Sequence, residues 1–297
     1  MKVVVGGSSG LIGVALVRRL QSDGHDVLRL VRHARTAPDE VEWDPVRGSI
    51  DAEALEGVIA VVHLGGASIA AQRWDVVYKQ TIRDSRVNST RLLSETLAGL
   101  QSKPSVFLCA SALGFYGDRK DEIITENMPQ GRGFLADVSA EWEAATAPAS
   151  DAGIRVCNMR IGVVLSKDGD LPRRMLAPFK MGLGGKLGNG NQYMSWVHID
   201  DVLGGFMHAL DRPSLEGPVN LSVPNAVTNR EFTRALARAV KRPAMFRVPK
   251  LALRIAMGEA AQFATGSTRM YPLKLSQSGY QFQWEDIYLA LRDILSD

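Results

Sequence analysis

Short, unbroken runs of Val, Ile and Leu alternate with amphipathic segments through the first half of this chain. Lys2 to Val5, Asp26 to Val31, Val58 to Leu64, Val106 to Ala110 and Val156 to Leu165 read as strands. Leu11 to Ser22, Asp75 to Leu100 and Phe134 to Ala152 read as helices between them. Continuous apolar runs, in place of period-two alternation, mark strands buried on both faces, as a parallel sheet requires. Strand-helix alternation then implies right-handed crossovers. The predicted fold class is α/β, a Rossmann-type doubly wound parallel sheet.

Beyond Leu165 the pattern loosens. Gly182, Gly184, Gly185, Gly188 and Gly190 crowd into one stretch, suited to turns needing positive φ. Asp200 or Asp201 is placed to cap a helix running through Leu210. A short strand is expected over Val219 to Val223, and Thr228 with Glu231 forms a capping box for a further helix. The predicted organisation is a dinucleotide-binding domain over 1–165, its sheet completed by parts of 190–223, and a smaller substrate-side α/β lobe over 166–297.

The first strand runs into Gly6-Gly7-Ser8-Ser9-Gly10-Leu11-Ile12-Gly13, and a helix follows at once. Glycines there permit a sharp reversal, and bare amides can reach a pyrophosphate at the positive end of the helix dipole. Gly7, Ser8, Ser9, Gly10, Leu11 and Ile12 are the expected phosphate contacts, with Gly13 expected to let the helix pack closely on the sheet. The end of the second strand selects the cofactor. An NAD site places an acid there, about 20 residues past the loop. Here the run is Leu30-Val31-Arg32-His33-Ala34-Arg35, with no acid before Asp39. A carboxylate would repel a 2′-phosphate, whereas Arg32 can grip one through paired hydrogen bonds. At roughly 1.5–3 kcal/mol each, against about 1.4 kcal/mol per tenfold, such bonds set a cofactor preference. The expected cofactor is NADP.

Composition narrows the partners. Net charge is +3, from 35 Lys+Arg against 32 Asp+Glu, with no long cationic run and no recognisable module, which argues against nucleic acid. The cysteines, Cys109 and Cys157, lie inside apolar runs and read as core residues of a reducing compartment. With no signal-peptide pattern and no apolar span near ~18 residues, a cytoplasmic chain without membrane segments is expected. The five histidines show no metal spacing, so no metal is expected.

The loop Gly7 to Gly13, His63-Leu64-Gly65-Gly66-Ala67, Ser111-Ala112-Leu113-Gly114-Phe115-Tyr116-Gly117 and Trp196-Val197-His198-Ile199-Asp200-Asp201 together resemble the extended short-chain dehydrogenase/reductases, the group of sugar-nucleotide epimerases and dehydratases. Trp43-Asp44-Pro45, Ile82-Arg83-Asp84-Ser85-Arg86-Val87, Trp142-Glu143-Ala144-Ala145 and Pro178 to Gly185 look like the atypical epimerase-family subgroup, in which a small C-terminal domain, here about 248–297, follows. The resemblance implies further cofactor contacts from Leu64, Gly65 and Arg86, although Arg86 also reads as a surface helix charge. It implies catalytic roles for Ser111, hydrogen-bonding a substrate oxygen, and Tyr116, facing substrate from its loop.

The superfamily's acid/base Tyr, with a Lys four residues on, belongs on a helix where the two share a face. The helix that ought to carry it, Phe134-Leu135-Ala136-Asp137-Val138-Ser139-Ala140-Glu141-Trp142-Glu143, has neither. Tyr116 and Lys120 match the spacing but lie in a loop. Asp137, Glu141 and His198 read as surface or structural groups. Two functions stay open: an NADP-dependent oxidoreductase or epimerase-like enzyme acting on a carbonyl or sugar-nucleotide-like small molecule, or a non-catalytic NADP-binding sensor. A homodimer through the long helix is open too, though Lys79, Arg83, Arg86 and Arg91 make that helix no evident apolar seam.

Overall fold

The computed structural model describes residues 1–169 and 176–296. Eight strands form its central sheet: β1 (Lys2–Gly6), β2 (Asp26–Val31), β3 (Glu40–Asp44), β4 (Ser49–Ile50), β5 (Ala60–His63), β6 (Val106–Ala112), β7 (Arg155–Ile161) and β8 (Gly217–Leu221). Their spatial order is β8-β7-β6-β5-β1-β2-β3-β4, parallel throughout except for the β3–β4 hairpin at one edge. From β1 the chain builds outward to β3, then returns to β5 on the other side. The sheet therefore has a switch point between β1 and β5, and a crevice forms there outside the carboxyl ends of the strands.

The principal helices are α1 (Leu11–Ser22), α2 (Val76–Gly99), α3 (Phe134–Ala144), α4 (Ile199–Asp211), α5 (Asn229–Ala239), α6 (Lys250–Met257) and α7 (Ile287–Leu295). Val3, Val4 and Val5 of β1 and Val61 and Val62 of β5 are completely buried, as continuous apolar strands demand. A second apolar cluster, built on Leu165, Trp196, Phe232, Leu236 and Leu291, holds α5 and α7 together.

Several elements differ from the sequence reading, each for a local reason. The chain's third strand is β3, whose Glu40-Val41-Glu42-Trp43-Asp44 pattern is too polar to stand out as a buried run. The helix expected over 134–152 breaks after Ala144 and resumes over Ala147–Asp151. Pro148 has no amide to continue the ladder and sits instead in the first turn of the new segment. The strand expected over 156–165 is interrupted at Gly162. Val163–Leu165 pairs with Trp196–His198, while the Gly162 amide bonds the Leu221 carbonyl. A Cβ at Gly162 would lie 3.0 Å from the Ser195 carbonyl oxygen. The cap of α4 is neither Asp200 nor Asp201 but His198, whose Nδ1 accepts from the Asp200 amide. Asp201 instead receives the amides of Gln283 and Trp284, tying the C-terminal segment to α4.

Candidate functional site

The glycine loop connects β1 to α1 at the switch point. Gly7 adopts φ +77°, and a Cβ there would stand 2.7 Å from the Gly65 amide nitrogen and the Leu64 carbonyl carbon. A Cβ on Gly13 would approach the Gly7 carbonyl oxygen to 2.1 Å. Gly13 thus seats α1 on the loop itself, where close packing on the sheet was expected. Gly10 is the N-cap of α1 and supplies no side-chain acceptor, and no acidic residue lies in the first turn. The opening amides and the positive end of the helix dipole are left for an outside anion. Ser9 and Gly10 are exposed; Ser8, Leu11 and Ile12 are half-buried, as are Leu64 and Gly65 opposite.

Two arginines flank this cradle without carboxylate partners among the described residues. Arg32 is exposed at the end of β2 and has no ion pair among the described residues. The nearby acids are engaged elsewhere: Arg29 bonds both oxygens of Asp39 (2.6 and 3.0 Å) and reaches Glu40 at 3.1 Å. Glu40 also accepts from Thr36 and Ala37, closing the loop after Arg32. Arg86 lies on α2 against Gly66, donates to the Ile82 carbonyl at 3.0 Å and stands over the Trp142 ring at 5.2 Å. Desolvation pulls its guanidinium down to about 10, as expected of a half-buried cation with no counter-ion. Arg86 is thus half-buried, and not the solvated helix charge that the sequence also allowed.

A second constellation lies along the carboxyl ends of β6, β7 and β8. Register places Ser111 beside Arg160 and Arg160 beside Asn220, one polar row across three strands. Ser111 Oγ donates to Glu143 Oε1 at 2.5 Å, and Arg160 grips both Glu143 oxygens at 2.8 Å. Arg160 Nη1 also donates to the Tyr116 hydroxyl at 2.8 Å, which donates to Asn220 Oδ1 at 2.6 Å. Phe115 stacks on the same guanidinium at 3.5 Å. The position of Tyr116 differs from the one the resemblance implies. It is 0% exposed, both sides of its hydroxyl are occupied, and burial pushes the phenol up to about 12. It faces Arg160 and not an open cleft. Ser111 is buried as well, its proton committed to Glu143.

The remaining candidates have structural partners. His63 is buried, edge-on to Trp43, with Nε2 3.0 Å from Ser89 Oγ, and burial lowers it to about 4. It is therefore neutral and fills the space under Gly6 and Gly65. Buried His198 stacks on Trp284. Asp137 pairs with Gln130, and Glu141 with Arg83, on the outer face of α3. Among the described residues no three His, Cys, Asp or Glu converge as metal ligands, and no helix is long and apolar enough to cross a membrane.

The sequence and the fold have known counterparts. The model of the NAD dependent epimerase/dehydratase family matches residues 3–222, and a domain of unknown function (DUF1731) matches 248–294. The chain belongs to the NAD dependent epimerase/dehydratase family. An epimerase family protein of Mycobacterium tuberculosis is 44% identical over 97% of this chain and 96% of its own. The epimerase family protein YfhF of Bacillus subtilis is 32% identical over 100% of this chain and 99% of its own. The crystal structure of human epimerase family protein SDR39U1 (isoform2) with NADPH superposes with a TM-score of 0.91 at 29% identity, covering 99% of each chain. A UDP-N-acetylglucosamine 4-epimerase from Bacillus cereus, 18% identical with a TM-score of 0.75 over 99% of this chain and 98% of its own, shares the fold.

Within this epimerase-family chain, sequence reasoning missed Glu143, the function of Arg160, and Asn220. A usable signal was present. An arginine inside the apolar strand Val156-Cys157-Asn158-Met159-Arg160-Ile161 demands a buried partner, because an unpaired charge there is prohibitively costly. Glu143, on the face of α3 that carries Ser139 and Trp142 inward, was the acid available.

Proposed function

We propose that this protein binds NADP(H) and acts as an oxidoreductase or epimerase-like enzyme on a small molecule carrying a carbonyl or hydroxyl group. The observation that carries the reading is the uncapped start of α1 set in a glycine cradle, with Arg32 unpaired beside it. The residues fit the cofactor: Gly7 and Gly13 let the loop fold tightly against Leu64, Gly65 and α1, where a Cβ would meet backbone, and the amides of Ser8, Ser9, Leu11 and Ile12 suit a diphosphate, that of Gly10 being held by the Gly7 carbonyl. Arg32 suits a 2′-phosphate, and Leu64, Gly65 and Arg86 bound the opposite wall. The crystallised NADPH complex of the human relative supports this choice. When bound, the nicotinamide donates or accepts a hydride. On the protein side, Ser111 orients a substrate oxygen: Glu143 takes the hydroxyl proton, so the lone pairs remain to accept from a substrate hydroxyl. Arg160 holds Glu143, and Tyr116 is a positioning residue for Arg160. On this reading residues 1–165, their sheet completed by parts of 190–223, bind the cofactor and supply Ser111, and the remainder of 166–297 forms the other side of the substrate site.

Isothermal titration of NADPH and NADH into the purified chain tests the cofactor. Binding of NADPH at least about tenfold tighter than NADH, reduced to parity in Arg32→Ala, is expected. Equal affinities, or no heat from either nucleotide, would defeat it. The saturation of the Ser111 network and the absence of a Tyr/Lys pair favour a second reading, a non-catalytic NADP sensor. A carbonyl and sugar-nucleotide panel that never changes NADPH absorbance, with intact NADPH binding, would select it.

A further inference from the structure

Helix α5 and the strand pair Gly185–Leu187/Phe246–Val248 border an open cavity of about 320 Å³. Lys186, Arg230 and Arg234 line it, the two arginines one helical turn apart on the same face of α5. None of the three pairs with a carboxylate among the described residues. Arg230 is steered by neutral groups only, donating to Asn191 Oδ1 at 2.8 Å. The surrounding stretch is strongly one-sided: between Asn229 and Arg254 the one acid is Glu231, against Arg238, Lys241, Arg242, Arg247 and Lys250 besides the lining cations. A chain with a net charge of only +3 thus carries one strongly cationic stretch, and Arg230 and Arg234 of that stretch line the cavity.

A second feature is independent of that charge. Thr233, between Arg230 and Arg234, lines the same cavity, is 3% exposed, and its Oγ1 has no hydrogen-bond partner. A helical threonine ordinarily bonds a carbonyl one turn back, and a buried hydroxyl left without a partner is disfavoured. Phe246 and Met245, 52% and 84% exposed, add an apolar wall. The lining residues share nothing with the glycine loop or the Ser111 row.

We propose that this cavity is an anion-binding site for a phosphorylated small molecule, its phosphate held by Lys186, Arg230 and Arg234 and by the Thr233 hydroxyl, with the apolar part of the ligand against Phe246. Three cations around one anion supply charge-assisted bonds, and Thr233 gains the partner it lacks. The proposal does not depend on the cofactor reading.

Inorganic pyrophosphate is the probe, titrated calorimetrically into the full-length protein and into the charge-reversed double variant Lys186→Glu/Arg234→Glu, with NADPH titrated in parallel. The double variant should lose at least about tenfold in pyrophosphate affinity with NADPH affinity unchanged. Thr233→Val should weaken pyrophosphate several-fold while raising the Tm of the ligand-free protein, because it removes a hydroxyl with no partner; a merely structural threonine would move neither in that combination. Pyrophosphate affinity untouched by the charge reversal would mean binding at the glycine loop alone and would overturn the proposal. No heat from the unmodified protein at millimolar pyrophosphate would overturn it too. So would an oligothymidylate that binds tighter than pyrophosphate and is indifferent to Thr233→Val, since that describes an open polyanion surface.

Discussion

The glycine loop and the Ser111 row lie along the same edge of one sheet yet treat their polar groups in opposite ways. Around the loop, groups are left over: the first amides of α1 lack a capping side chain, and Arg32 and Arg86 have no counter-ion among the described residues. Along the row, the donors are consumed: the Ser111 proton and Arg160 go to Glu143, Arg160 also to Tyr116, and the Tyr116 proton to Asn220, all within 2.8 Å. Leftover donors at a surface cradle are what an anion requires; a saturated buried network holds its members still. On the proposed reading, one region receives an anion and the other holds side chains in place. Substitutions in the row should therefore act first on stability, and those around the loop on binding.

The largest effect is expected from Glu143→Gln. It leaves the Arg160 charge buried without its counter-ion, which costs about 3–5 kcal/mol. Urea unfolding should show this, and the double variant Glu143→Leu/Arg160→Met should recover much of the loss. A Glu143→Gln protein as stable as the parent would break the contrast. Gly13→Ala should cost about 3 kcal/mol and abolish NADPH binding together, because backbone must move to admit the Cβ. Here stability and binding are coupled through one atom's contact.

The next prediction concerns pH. His63, held neutral at about 4 in the folded protein against 6.5 unfolded, lets the unfolded chain bind more protons between those values. Stability is thus full above pH 6.5 and falls as pH drops towards 4, by about 2 kcal/mol at pH 5. Chemical denaturation at pH 7 and pH 5 measures the slope, which should shrink in His63→Gln. Arg32→Ala should change stability by less than about 0.5 kcal/mol while costing about tenfold in NADPH affinity. Smallest in stability is Arg86→Met: it relieves a half-buried unpaired cation, so Tm should hold or rise while NADPH affinity falls. If Arg86→Met destabilised without touching NADPH affinity, Arg86 would belong with the row.

The two regions also differed in how well the sequence disclosed them. The loop is contiguous, and each of its glycines has a local cause, so β1, α1 and β2 could be located at or within a residue of their ends from 1–31 alone. The Ser111 row is assembled by register from β6, β7 and β8 and by the inward face of α3, so nothing in a local window joins Ser111 to Glu143 or Arg160 to Asn220. Tyr116 could be picked out as special from its loop, but the acceptor of its hydroxyl, Asn220, is distant in the chain. β3 was obscured by its alternating glutamates, and the break in the helix after Ala144 by an otherwise unbroken periodicity that outweighed Pro148.

Hydrogen–deuterium exchange with and without NADPH probes the central assignment most directly. Protection is predicted at the amides of Leu11 and Ile12 and in the segment around Leu64 and Gly65, with the buried Ser111 row unchanged; the Gly10 amide, bonded to the Gly7 carbonyl, should change little. NADPH that leaves the opening turn of α1 exchanging at its ligand-free rate would contradict it.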